Sequence, residues 1–158
     1  MQKMNFRIAE MPDDAAVQAV VARACVSHWR RDFPHDTDQW YLNLYAESLQ
    51  AQTLPIVLVA YNGEKVVGTA SLIADDELPG ATEPGPWLAA VFVNEEHRHA
   101  GVGTALVHEM MNRARTVNIQ RLYLYTENAV AWYQAMGWRT LRMARLADHN
   151  VTVMCCDL

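Results

Sequence analysis

The spacing of apolar residues changes several times along this chain, and each change marks an element. Residues Asn5 to Glu10 alternate as a strand does, and Pro12-Asp13-Asp14 then supplies a helix start with Val17, Val20, Val21 and Ala24 on one face. Asp36 followed by Gln39 resembles a capping box, which Trp40, Tyr41, Leu44, Tyr45 and Leu49 extend into a second amphipathic helix. Between these helices lies the polar and aromatic connection SHWRRDFPHD. PIVLVAYNGEKVVGTASLI reads as two antiparallel strands about Asn62-Gly63, a dipeptide that accepts the positive φ of a tight turn.

The second half keeps this mixed rhythm. Ala74 to Pro86 holds Asp75, Asp76, Glu77 and Glu83 with three prolines and two glycines, so it reads as a loop, and Trp87 to Val93 reads as a buried strand. From Gly103 the positions Leu106, Val107, Met110, Met111 and Ala114 step as a helix does, and Arg121 to Tyr125 is again a strand. Asn128 is placed to cap a short helix through Met136, with Gly137 at its left-handed C-terminal position. Two last strands, Trp138 to Arg145 and Val151 to Asp157, flank Ala147-Asp148-His149-Asn150. The expected class is a mixed α/β fold of order β-α-α-β-β-β-α-β-α-β-β. With no repeat or linker in view, residues 1–158 are expected to form a single domain.

Composition removes several function classes. A net charge of −5 argues against a nucleic-acid partner, which would need a Lys/Arg stripe, and suits a cationic small molecule. No apolar run reaches the roughly 20 residues of a membrane-spanning helix, and Met1 to Arg7 carries no secretory pattern, so a cytoplasmic protein with no membrane partner is expected. Cys25, Cys155 and Cys156 make no even framework and read as reduced structural thiols. No clustered metal-ligand spacing accompanies them, so no metal is expected.

The chemistry concentrates at HRHAGVGTAL, residues 97–106, where a strand, a basic turn, two glycines and a helix follow one another. Main-chain N–H groups at such a helix start converge on an anion, and the helix dipole favours it. A Walker loop would need a lysine after the last glycine, and a dinucleotide fingerprint would need a third glycine at Leu106; neither is present.

Val93 through Leu106 instead resembles the coenzyme A signature of the GNAT superfamily of N-acetyltransferases, Arg/Gln-x-x-Gly-x-Gly/Ala, with Arg98, Gly101 and Gly103 in register. The order of elements is similar as well. The resemblance implies that the backbone of Arg98, His99, Ala100, Gly101, Val102 and Gly103 holds the coenzyme pyrophosphate, helped by the Thr104 hydroxyl. It also implies that Val91, Phe92 and Val93 run along the pantetheine arm, with main-chain atoms of Val91 and Val93 pairing to it. NAVAWYQAMGWRTL, residues 128–141, resembles the family's other acetyl-CoA segment, in which Asn128 contacts the coenzyme arm and Tyr133 protonates the departing thiolate. A phenol of pKa about 10 can do this at neutral pH. Trp132 beside it reads as core.

The implied activity is direct transfer of acetyl from acetyl-CoA to a primary amine of a small cationic molecule. A main-chain N–H near Val91 would polarise the thioester oxygen. A non-catalytic acyl-CoA sensor and a protein N-terminal acetyltransferase are the alternatives. No ionisable side chain lies in WLAAVFV, so the general base is sought in Glu127, in Asp76 with its neighbours Asp75, Glu77 and Glu83, in His28 and His35, or in water. Exposed aromatics near Trp138 or the last strands are the expected contact of any homodimer.

Overall fold

In the computed structural model, residues 5–158 are described, so Met1 to Met4 of the stretch read for a leader lie outside the described residues. The strands are β1 (Arg7–Glu10), β2 (Ile56–Asn62), β3 (Lys65–Ile73), β4 (Trp87–Val93), β5 (Arg121–Thr126), β6 (Arg139–Leu146) and β7 (His149–Asp157). The helices are α1 (Ala15–His28), α2 (Asp38–Gln50), α3 (Val102–Thr116) and α4 (Val130–Ala135), in the order expected from the sequence. The strands form one sheet, β1-β2-β3-β4-β5-β7-β6, in which β4 and β5 are parallel and the other pairs antiparallel.

Both faces of the sheet are covered along β2, β3 and β7, which explains why those strands bury consecutive residues rather than alternating ones, whereas the edge strand β6 is largely exposed. Along β2 successive residues go to opposite cores: Val57 and Val59 pack with α1 and α2, while Leu58 and Ala60 pack with α3. The adjacent thiols divide in the same way, Cys155 to the first core and Cys156 to the second, and both are buried and free. Leu106, Val107, Met110, Met111 and Ala114 form the buried stripe of α3, as their spacing predicts. A fully buried Leu106 contributes roughly 1.5–3 kcal/mol.

Local chemistry moves several boundaries. Asp14 caps α1, its carboxylate accepting from Ala16 N and Val17 N, but the buried stripe is Val21, Ala22, Cys25 and Val26. Val20 is 56% exposed, so the face is rotated from the expected one. Thr37, not Asp36, caps α2 through Trp40 N, which leaves Asp36 half-buried and free of the cap. The hairpin turn is Gly63-Glu64, one residue beyond the expected pair, with Gly63 carrying the positive φ of 64°. Asn128 is not the cap of α4: Ala129 holds that position, and the Thr126 hydroxyl accepts from its N–H. Gly137 has the left-handed φ of 99° expected of it. The β6–β7 turn shrinks to Ala147-Asp148, so His149 belongs to a strand. Trp138 is buried and offers no surface for a partner; the exposed apolar side chains of the last strands are Leu141 and Met143.

Candidate functional site

One irregularity in the sheet creates the site. Ser71 pairs with Ala89 and Thr69 with Phe92, which leaves Ala90 and Val91 opposite the single residue Ala70, a β-bulge in which Ala90 takes a φ of 53°. On its other side β4 meets β5 at Trp87 and Tyr123, after which the two strands part. A cleft of about 1140 Å³ opens between them, lined by Leu88 through Val93. Ala89 to Val93 is therefore only half-buried, where the apolar run predicted a fully buried strand. An open strand edge beside a cleft can pair with an extended ligand.

At one end of the cleft is the glycine corner. Asn94 fastens its base, its N–H donating to Val67 O at 2.8 Å and its amide to Val66 O at 3.1 Å. After a single 3-10 turn, Glu95–His97, the chain takes positive φ at His99 (64°) and Gly101 (87°) and enters α3 with no side-chain cap. Backbone donors of its first turn thus face the cleft without a side-chain acceptor, the arrangement that receives an anion. His97 also lines the cleft, and its Nδ1 is buried without a partner. The Arg98 side chain folds back, donating from Nε to Val93 O at 3.1 Å. An uncapped helix start and an orphaned ring nitrogen fit a ligand rich in acceptor oxygens, such as a pyrophosphate.

Of the residues expected to bind coenzyme, Val91, Phe92, Val93, Arg98, His99, Gly101, Val102, Gly103, Thr104 and Asn128 all line this cleft. Ala100 is exposed and does not. Tyr133 projects from α4 into the same cleft, 7% exposed, between Trp132 and Trp138. Burial raises the pKa of its phenol, which keeps the proton in place. Trp132 is not core: it is partly exposed and walls the cleft beside Gly103.

The other end of the cleft is acidic and aromatic. Asp36, Asp76 and Glu77 line it with Tyr41 and Tyr125. Burial raises the Asp36 and Asp76 carboxyls, and Glu77 beside them pushes the same way; for Asp76 the Tyr125 hydroxyl acts against this. The Tyr125 hydroxyl donates to the Asp76 carbonyl at 3.2 Å. Glu127 also lines the cleft, but it accepts from the Arg31 guanidinium. Several sequence candidates lie elsewhere: Asp75 accepts from Glu77 N at 2.9 Å, His35 is exposed outside the cleft, and Glu83 is bound by Arg142. His28 does reach the cleft against Phe92, and burial and Arg98 lower its pKa while Asp32 opposes them.

The sequence did not flag Arg31, Asp32 or His149, which the fold brings to Glu127. Asp32, Glu127 and His149 offer one ligand atom each within 4.8 Å of one another. Arg31 donates to both carboxylates, so the same oxygens that would face an ion already face a guanidinium. That makes the cluster an ion-pair network. No helix among the described residues is long and apolar enough to cross a membrane.

The sequence model of the acetyltransferase (GNAT) family matches residues 22–138. An amino-acid acetyltransferase of Pseudomonas syringae pv. syringae is 36% identical over 66 residues, covering 42% of this chain and 15% of its own length. The chain therefore spans less than a fifth of that relative. Among solved structures, an acetyltransferase of the GNAT family from Staphylococcus aureus Mu50 superposes with a TM-score of 0.74 at 20% identity, covering 98% of this chain and 99% of its own. An aminoglycoside 6'-N-acetyltransferase complexed with coenzyme A gives a TM-score of 0.77 at 13% identity and 96% coverage of both chains.

Proposed function

Because the chain belongs to the GNAT acetyltransferase family, we propose that residues 1–158 act as one acetyl-CoA-dependent N-acetyltransferase domain that moves the acetyl group directly to a primary amine of a small cationic molecule. The observation that carries this reading is the parting of β4 and β5, which puts an uncapped helix start at one end of a single cleft and unpaired carboxylates at the other.

Each residue then has a physical task. The first-turn N–H groups of α3 and the turn at His99 and Gly101 receive the pyrophosphate, and the open edge at Val91 and Val93 pairs with the pantetheine arm. Acetyl-CoA supplies the acetyl group as an activated thioester. A main-chain N–H at the Ala90-Val91 bulge is the candidate donor for the thioester oxygen, since the bulge takes it out of the regular ladder. Tyr133 holds the proton for the leaving sulfur. Asp36, Asp76 and Glu77 draw in a cationic amine, and Tyr41 and Tyr125 add aromatic surface for it. With donor and acceptor in one cleft, positioning supplies much of the rate, and no cysteine is needed: both Cys155 and Cys156 are buried in the sheet.

Thiol release from acetyl-CoA across a panel of mono-amines, diamines, amino acids and aminoglycosides tests this. Acceptor-dependent release, strongest for polycationic amines, is expected. Coenzyme binding without release would favour a sensor, and absence of coenzyme binding would refute the reading.

A further inference from the structure

Three segments far apart in sequence meet at one corner of the acceptor end: the α1–α2 connection brings Arg31 and Asp32, the end of β5 brings Glu127, and the start of β7 brings His149. Resting on the acetyltransferase reading above, we propose that His149 is the general base, taking a proton from the acceptor ammonium at Nε2 before attack.

Its surroundings suit the role. Nδ1 lies 3.4 Å from Asp148 Oδ1, which can only accept, and base catalysis at Nε2 uses the tautomer in which Nδ1 holds its hydrogen toward Asp148 and Nε2 the lone pair. Nε2 stands 3.5 Å from Asp32 Oδ1 and 3.6 Å from Glu127 Oε2. All three distances are longer than a formed hydrogen bond, so no partner locks the ring in the opposite tautomer. They are short enough that the imidazolium, once formed, faces two carboxylate oxygens, the stabilisation a catalytic histidine receives from its carboxylate partner. The side chain is 13% exposed and lines the cleft, so it meets the ligand space rather than bulk water.

Glu127 and Asp32 are placed differently. Arg31 donates to Glu127 Oε2, and from Nε to Asp32 Oδ1 at 3.2 Å, so the oxygen of each that faces the ring is already bound to a permanent cation. The charged groups about the ring are thus Arg31 and Asp32 from the connection, Glu127 from the bend just after β5 and Asp148 from the β6–β7 turn. His28 of α1 and Tyr125 of β5 are within electrostatic reach of Asp32.

The chemistry balances. The ammonium gives one proton to Nε2, and the freed lone pair forms the N–C bond at the thioester carbonyl. The C–S bond breaks with its electrons on sulfur, which takes the Tyr133 proton. The second amine proton restores Tyr133, and the imidazolium releases its proton to solvent. Amide, free thiol and one net proton result.

Two probe nucleophiles separate this role from a structural one: an α,ω-diaminoalkane, protonated at neutral pH, and hydroxylamine, which is already neutral there. His149→Gln is expected to lower kcat/KM for the diamine about 10²–10³-fold and to abolish the acid limb of its pH profile, with the hydroxylamine rate and coenzyme affinity unchanged. Asp32→Asn, which leaves the ring in place, gives the same selective loss in smaller degree. Asp76→Asn is expected to keep the acid limb. Equal losses with both probes, an unaffected diamine rate, or an acid limb that follows Asp76 and not His149 would overturn the proposal alone. A wild-type protein that neither binds coenzyme A nor acetylates either probe removes the acetyltransferase reading and this proposal together.

Discussion

The Trp132 indole stands so close to Gly103 that a Cβ at that glycine would come within 3.2 Å of its Cζ2 and 3.3 Å of its Cη2. Gly101, two residues earlier, has open space about it but a φ of 87°. The two glycines of the corner therefore serve different ends, and alanine should separate them. Gly103→Ala pushes the indole off the cleft wall: coenzyme A binding by calorimetry weakens several-fold, about 1 kcal/mol, with little change in Tm. Gly101→Ala strains the backbone instead, so thermal unfolding should show a loss of about 1–2 kcal/mol.

Tyr133→Phe keeps the packing against Trp132 and Trp138 and removes only the hydroxyl. Turnover with the best acceptor should fall on the order of 10²–10³-fold while coenzyme affinity holds. Because burial raises the phenol pKa, its proton stays on through the working range, and Tyr133 contributes no basic limb near neutrality. Unchanged turnover in the variant would mean that sulfur takes its proton elsewhere.

On the proposed reading, Asp76 ties acceptor recognition to stability. Its pKa is raised above the ordinary 3.8, first by burial and then by Glu77. A carboxyl with a raised folded pKa stabilises the protein below its unfolded pKa, and that contribution is lost as pH rises through the folded value. Asp76→Asn should thus raise Tm at neutral pH relative to wild type, with the gain vanishing in acid below about pH 4. In the same variant the KM for a cationic acceptor should rise on the order of tenfold, the equivalent of ~1.4 kcal/mol. A neutral acceptor should show no such change, and a Tm lower than wild type at pH 7 would contradict the burial argument.

What the sequence discloses here divides along a physical line. Signals confined to a few neighbouring residues are legible: the apolar stripe of α3 and Gly137 at its left-handed position can be read from spacing, and the glycine corner from Arg98 to Thr104 stands out by its likeness to the family motif. The acidic, aromatic end of the cleft could not be read that way, because it assembles from residues some hundred positions apart. Arg31 pairs with Glu127 only after the sheet closes, and His149 looks like a turn residue until the β6–β7 register places it in a strand. Competition between neighbours accounts for the misplaced caps: Asp36 and Thr37 both suit a helix start, and so do Thr126 and Asn128. Trp132 reads as core because an aromatic on a short helix usually is; only the close approach to Gly103 puts it on the cleft wall.

The loop between β3 and β4 carries Asp76 and Glu77 to the cleft, and its far end is fastened by Arg142 of β6. The guanidinium holds Glu83 with Nε at 2.8 Å from Oε1 and its terminal nitrogen at 2.5 Å from Oε1 and 3.1 Å from Oε2. Burial acts to raise the Glu83 carboxyl, yet Arg142 and the local backbone N–H groups outweigh it and the pKa is lowered from 4.5. A depressed carboxyl contributes stability above its unfolded pKa and loses it as pH falls through the folded value. Arg142→Met should accordingly cost on the order of 1 kcal/mol at pH 7, the upper end for a surface pair held by several hydrogen bonds, and the cost should shrink below about pH 4.5. Freed at Glu83, the loop no longer presents Asp76 and Glu77 in one place, so KM for a cationic acceptor should rise while coenzyme A affinity, which the proposed reading assigns to the opposite end of the cleft, should stay as in wild type. Parallel loss of coenzyme affinity would show that the loop supports the whole cleft instead of its acceptor end.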